Sequence, residues 1–256
     1  MTPSTRWTGC RRSRRARTPA VGWSSSPHDD DGDPCRTRWP RFRRGHRHVG
    51  PPSMTSTSPL VEVLERARTL GVLGPGPVAD HIVHADRFVQ ALSVLPEGSQ
   101  VVDLGSGGGI PGLVIAERCP HLQVVLLDAM ARRTTLLVEA VARLGWEERV
   151  SVVLARAEDA GRDAVMRGAF DAVTARSFGP PATVAECAAP LLRVEGLLIV
   201  SEPPDQPDRW PVEGLEPLGL RPERTTIGGL QVLRQFERCP ERFPRRVGVP
   251  AKRPLF

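Results

Sequence analysis

Val101-Val102-Asp103-Leu104-Gly105-Ser106-Gly107-Gly108-Gly109-Ile110-Pro111-Gly112 is the stretch that decides the fold of this chain. A β-branched apolar run ends in a carboxylate, and glycines follow at alternate positions 105, 107 and 109. Apolar residues resume at Leu113, Val114, Ile115 and Ala116, with Pro111 where a helix takes its first residue. The pattern predicts a strand, a tight glycine turn and a helix. That is the opening of a Rossmann-like unit, whose turn lets a ligand approach the backbone closely.

Two ligand patterns overlap on this turn. Gly107, Gly109 and Gly112 fit the dinucleotide spacing G-x-G-x-x-G, with Asp128 lying 21 residues after Gly107. Gly105, Gly107 and Gly109 behind Asp103 instead fit the acidic-x-G-x-G-x-G loop of enzymes that use S-adenosylmethionine. Charge separates the two. A pyrophosphate wants backbone N–H groups and no carboxylate nearby, whereas a sulfonium and an ammonium are favoured by one. Asp103 therefore points to the methyl donor, and binding of NAD or NADP is not expected.

Beyond the loop, strands and helices alternate. Gln123–Leu127 reads as a second strand ending in Asp128, and Ala131–Leu144 as an amphipathic helix. Val150–Leu154 is a third strand, followed by Arg156-Ala157-Glu158. Phe170–Ala175 is a fourth, ending in Arg176. A helix over about 181–191 and a fifth strand, Gly196–Val200, complete the series. Such alternation predicts an α/β fold: a doubly wound, mostly parallel sheet with helices on both faces. Right-handed crossovers then gather the carboxyl ends of the strands on one rim, where ligands bind. Asp103, Asp128, Ala157, Glu158 and Arg176 all fall there. A carboxylate after the second strand suits ribose hydroxyls; Glu158 suits either the cofactor or the first turn of its own helix.

Before the glycine loop, helical spacing predicts helices over 60–70 and about 77–95, with Gly74-Pro75-Gly76-Pro77 between them. His81 and His84 lie three apart on the second and read as polar-face or cap residues rather than metal ligands.

The 256 residues suffice for one domain with extensions. No apolar run approaches the roughly 20 residues that span a bilayer, so no membrane partner is expected, and the scattered Cys and the lone His pair give no metal partner either. Five scattered cysteines without C-x-x-C spacing argue against disulfides and zinc, and for the cytoplasm. The net charge of +6 is uneven. Residues 1–53 hold 12 arginines against 4 acids, which leaves 23 basic and 25 acidic residues beyond them. Any contact with nucleic acid must then come from local patches.

Residues 1–53 carry no helical or strand period and read as a disordered, Arg-rich extension. A basic arm for nucleic acid and a true translation start at Met54 are the alternatives. The expected organisation is this extension, a short helical segment over 54–96, and the main domain over 97–256.

The run Asp103–Gly112 resembles bacterial small-subunit ribosomal RNA guanine-N7 methyltransferases, the GidB/RsmG family. So do Leu126-Leu127-Asp128, Arg156-Ala157-Glu158, Asp171-Ala172-Val173-Thr174-Ala175-Arg176 and the tail Phe243-Pro244-Arg245-Arg246-Val247-Gly248-Val249-Pro250-Ala251-Lys252-Arg253-Pro254-Leu255. The resemblance spans about residues 78–256. It implies methyl transfer from S-adenosylmethionine to a guanine N7 of 16S ribosomal RNA, by a monomer acting on that RNA or the small ribosomal subunit. It also implies that Gly105, Ser106, Gly107, Gly109 and Ile110 line the cofactor pocket, with Ala157 and Glu158 at the adenine. Arg176 would lie beside the cofactor and act in catalysis. Arg245, Arg246, Lys252 and Arg253 form a basic tail expected to hold RNA. The chain departs from the family at Glu202, where the fifth strand usually runs into a lysine. That departure keeps open an RNA-binding or ribosome-assembly factor on the same fold; a methyltransferase for another substrate is a further alternative.

Overall fold

The computed structural model of the chain describes residues 58–203, 208–223 and 227–256. The expected extension over 1–53 lies outside them.

Two helices come first, α1 (Pro59–Thr69) and α2 (Val78–Leu92). The alternating part follows as β1 (Gln100–Leu104), α3 (Gly112–Arg118), β2 (Gln123–Asp128), α4 (Ala131–Leu144), β3 (Val150–Leu154), α5 (Ala157–Ala160), β4 (Phe170–Ala175), α6 (Pro181–Ala188) and β5 (Leu192–Ser201). The chain closes with α7 (Val212–Leu215), β6 (Leu220–Pro222), β7 (Leu230–Gln235) and α8 (Val249–Lys252).

These strands form one seven-stranded sheet in the order β3-β2-β1-β4-β5-β7-β6. The first five pair in parallel, and β7 and β6 add antiparallel. The chain starts in the middle of the sheet, winds to β3, then returns across β1 to β4. The β1/β4 boundary is the point where strand order reverses, the usual place for a ligand crevice in such sheets.

Period-two alternation decides what each face buries. Val101 of β1 and Val124 and Leu126 of β2 join Leu64, Phe88, Leu113 and Leu137, from α1 to α4, in one apolar cluster. Val102, Leu104, Val125 and Leu127 point the other way, into a cluster with Val184 and Ala188 of α6 and Leu215, Leu218 and Phe243. Both faces of the central strands are therefore covered, which is why they read as unbroken apolar runs. Each fully buried Leu or Phe contributes roughly 1.5–3 kcal/mol. Among the described residues no helix is long and apolar enough to cross a membrane.

Candidate active site

Parallel register brings the expected rim residues together. Leu104 lies beside Leu127 and Ala175, and Asp128 beside Leu154, so the glycine loop, Asp128, the Ala155–Glu158 segment and Arg176 leave neighbouring strands at one edge.

Asp103 sits behind the loop rather than on it. Its side chain is sealed from solvent, with Thr174 Oγ1 donating to Oδ1 and the Gly112 N–H to Oδ2, each at 3.0 Å. Burial pushes the carboxyl from 3.8 up to about 6, against the pull of these hydrogen bonds and of Arg176. Asp103 thus ties β1, β4 and the start of α3 together. A Cβ on Gly112 would lie 2.7 Å from Asp103 Oδ2 and 2.3 Å from Leu126, so only glycine admits this approach.

The loop turns its N–H groups inward. Those of Gly105 and Ser106 donate to the Leu127 carbonyl at 2.8 and 3.0 Å, and that of Gly109 to the Ser106 carbonyl at 2.8 Å. The Gly107 N–H donates to Asp128 Oδ2 at 2.9 Å. Gly105, Gly107 and Gly109 all hold positive φ. At Gly105 a Cβ would meet the Phe178 ring at 2.7 Å, whereas at Gly107 nothing would come nearer than 3.7 Å. The Cα of Gly107 is therefore clear. Gly108 has another reason to be glycine, because a Cβ there would lie 2.9 Å from the Val72 carbonyl oxygen in the connection after α1. Ser106 and Ile110 are buried, Ile110 within the core beneath the loop.

Asp128 also accepts the Met130 N–H at 2.8 Å just ahead of α4, and Arg133 stands 3.5 Å from its Oδ2. Ala157 and Glu158 open α5, and both are buried. Glu158 Oε1 accepts the Gly248 N–H at 2.8 Å, which brings the tail to the rim.

Arg176 is half-buried, and its Nη2 lies 2.6 Å from Nδ1 of His81. His81 Nε2 stands 3.1 Å from the Gly74 carbonyl oxygen, an acceptor only, so Nε2 carries the proton and Nδ1 accepts from Arg176. His81 is thus a buried partner of Arg176, not the polar-face or cap residue its spacing suggested. His84, one turn on, is edge-on to Phe88; burial, then Arg176, Arg87 and His81, hold it below the usual 6.5.

A cavity of about 360 Å³ opens beside Arg176, walled by His84, Phe178, Glu202, Arg209 and Trp210 among others. Glu202 does not face it as a lone negative charge, since Arg209 Nη1 donates to Glu202 Oε2 at 2.8 Å.

The tail departs from the sequence reading at one residue. Arg245, expected to meet RNA, directs its guanidinium at Glu186 of α6, with Nε on Oε1 at 2.8 Å and Nη2 on Oε2 at 2.6 Å. Glu186 is fully buried, so Arg245 is its counter-charge and holds the tail down. Arg246, Lys252 and Arg253 are exposed. Among the described residues no group of three His, Cys, Asp or Glu is arranged to hold a metal. Cys119, Cys187 and Cys239 are buried free thiols, and burial raises the pKa of each.

Comparison with known proteins agrees with this architecture. A solved structure described as cofactor-bound Rv0187 from MTB superposes with a TM-score of 0.51 at 18% identity, over 71% of this chain and 91% of that one, a likeness of fold. The family model for rRNA small subunit methyltransferase G matches residues 79–203. The relative of that name from Parasynechococcus marenigrum (strain WH8102) is 37% identical over 165 residues, 60% of this chain and 66% of its own. The chain thus spans about two thirds of that relative's length. The one from Roseiflexus sp. (strain RS-1) is 35% identical over 190 residues, 70% of this chain and 80% of its own. With that share of the Roseiflexus protein matched, the chain belongs to the rRNA small subunit methyltransferase G family.

Proposed function

We propose that this protein transfers a methyl group from S-adenosylmethionine to N7 of a guanine in 16S ribosomal RNA, acting on the small ribosomal subunit as a cytoplasmic monomer. The observation that carries the cofactor choice is the direction of the loop amides. The N–H groups of Gly105, Ser106, Gly107, Gly109 and Gly112 are engaged within the protein. A pyrophosphate needs such donors free. A cation needs acceptors, and the loop stands beside the Asp128 carboxylate with these five amides engaged.

The residues fit that donor. The clear Cα at Gly107 admits a close approach to the loop, and Asp128 retains acceptor capacity beyond its two backbone partners, as a carboxylate accepts about four hydrogen bonds. Asp128 would hold ribose hydroxyls, Ala157 and Glu158 the adenine, and the loop the methionine end. When bound, S-adenosylmethionine supplies a methyl group on a positively charged sulfur, which leaves with its bonding pair as a neutral thioether.

Guanine N7 carries a lone pair and no proton, so the protein need not supply a base. Its work is orientation and charge placement. Arg176, fixed by His81 at the switch point of the sheet, is the group placed to orient the target nucleotide. Arg246, Lys252 and Arg253 offer exposed positive charge for RNA phosphates. Two measurements test the reading. Small subunits from cells lacking the gene should gain N7-methylguanosine when incubated with the purified protein and S-adenosylmethionine. Calorimetry should show binding of S-adenosylhomocysteine and none of NAD. Absence of the modified base, or binding of NAD alone, overturns it.

A further inference from the structure

Glu202, where the family usually carries a lysine, lines the cavity beside Arg176. Its backbone is fixed, because the Glu202 N–H donates to the Gly229 carbonyl at 2.9 Å and so extends the β5–β7 ladder beyond Ser201. Its side chain is largely buried in the cavity wall, and Arg209 holds Oε2 at 2.8 Å. A carboxylate bound this way has acceptor positions left on both oxygens. Phe178 and Trp210 supply apolar walls, the kind of surface on which a flat base stacks. Arg176 follows β4 and Glu202 follows β5, neighbouring strands with Ala175 beside Val200, so both groups line the same cavity.

From this geometry we infer that the Glu202–Arg209 pair is the specificity subsite for the target base, with the Glu202 carboxylate accepting the N1–H and N2–H of a guanine. The inference rests on the reading of the protein as a guanine-N7 methyltransferase. Among the four bases, guanine alone presents two adjacent donors on its Watson–Crick edge. Adenine and cytosine turn a ring-nitrogen acceptor to the carboxylate, and uracil a single N–H between two carbonyls. Held by N1 and N2, guanine leaves its imidazole edge, with N7, on the side of the ring away from Glu202. The contact also strengthens during the reaction. Alkylation at N7 gives the purine a positive charge and makes N1–H a better donor, so a carboxylate there favours the transition state over the bound substrate. Arg209 stays paired with Oε2 in both states.

Inosine keeps N7 and N1–H and lacks the 2-amino group, which makes it the probe. Small subunits are reconstituted from ligated 16S RNA carrying either guanine or inosine at the position the wild-type protein methylates. Wild type and Glu202→Gln are compared on both, with S-adenosylhomocysteine affinity as the check that the variant is folded. Wild type should lose about tenfold or more in rate on inosine. Glu202→Gln should be slow on guanine and lose little further on inosine, while keeping its S-adenosylhomocysteine affinity within about twofold. Equal wild-type rates on guanine and inosine overturn the subsite without recourse to any variant. So does a Gln variant as sensitive to inosine as wild type. If wild type makes no N7-methylguanosine on any subunit, the functional reading itself falls and the subsite with it.

Discussion

Arg245 grips Glu186 with three hydrogen bonds, from its backbone N–H and Nε to Oε1 and from Nη2 to Oε2, all between 2.6 and 2.8 Å. The Arg245 Nη2 also donates to the Arg253 carbonyl at 2.6 Å. One side chain thereby neutralises a buried acid in α6 and fixes the course of the tail.

Arg245→Ala is expected to cost about 3–5 kcal/mol, because it strands a buried carboxylate. Urea unfolding measures this. A loss below about 1 kcal/mol would show that Glu186 finds another partner or takes up a proton. Arg245→Glu is consequently unsuitable as a probe of RNA binding.

The exposed cations serve that purpose. Arg246→Glu combined with Lys252→Glu should leave the melting temperature near wild type and weaken binding to small subunits. The slope of log affinity against log salt should fall by about one for each phosphate contact removed. Titrations at three salt concentrations decide. An unchanged slope would place the RNA surface elsewhere.

Asp103 makes stability depend on pH in an unusual direction. Its pKa rises from 3.8 to about 6 on folding. Between those values the folded chain keeps a proton that the unfolded chain has released, so this group's contribution to stability falls as pH rises through about 4 to 6 and is level above. Two pH units correspond to about 3 kcal/mol. Asp103→Asn removes the titration. The unfolding free energy of wild type minus that of the variant should therefore drop by about this amount from pH 4 to pH 7. A difference independent of pH would mean that the carboxyl titrates normally.

His81 should matter through Arg176. Arg176→Ala is expected to lower kcat for methylation by about 100-fold or more. His81→Ala should cost less than this and leave S-adenosylhomocysteine affinity near wild type. In the Arg176→Ala background, the His81 change should add little, as two members of one unit are not additive. Independent, multiplying effects would separate the two residues.

Gly107→Val forces a β-branched residue to φ +55 and fills the clear space over the loop. Calorimetry should detect no S-adenosylhomocysteine binding by a variant that still unfolds cooperatively. Retained binding would move the cofactor off this turn.

The central strands were legible because burial on both faces writes apolar runs, and the rim residues because each directly follows such a run. The edge was not. β6 is three residues ending in Pro222, and Leu230–Gln235 carries Gln and Arg among its apolar residues, so neither gives a clean period. In the site, Arg176 could be read from its place after β4. Its partner could not, since His81 lies 95 residues earlier on a helix whose spacing gives no hint of a buried ring. Arg209 is separated from Glu202 by six residues of proline-rich chain without a period. One signal was available: Glu186 interrupts the otherwise apolar helix Pro-Ala-Thr-Val-Ala-Glu-Cys-Ala, and a buried acid requires a cation. Reading it would have freed Arg245 from the RNA surface.

The Glu186–Arg245 clasp also sets a timetable. Its two halves are 59 residues apart in the chain, with the acid made first. At about 5–20 residues per second, a ribosome delivers the arginine roughly 3–12 s after the acid. During that interval α6 cannot bury its glutamate as a paired ion, and the Gly248 N–H that will meet Glu158 has not yet been made. A nascent chain stalled before Arg245 therefore holds the Glu186 carboxylate without the counter-charge that its burial requires.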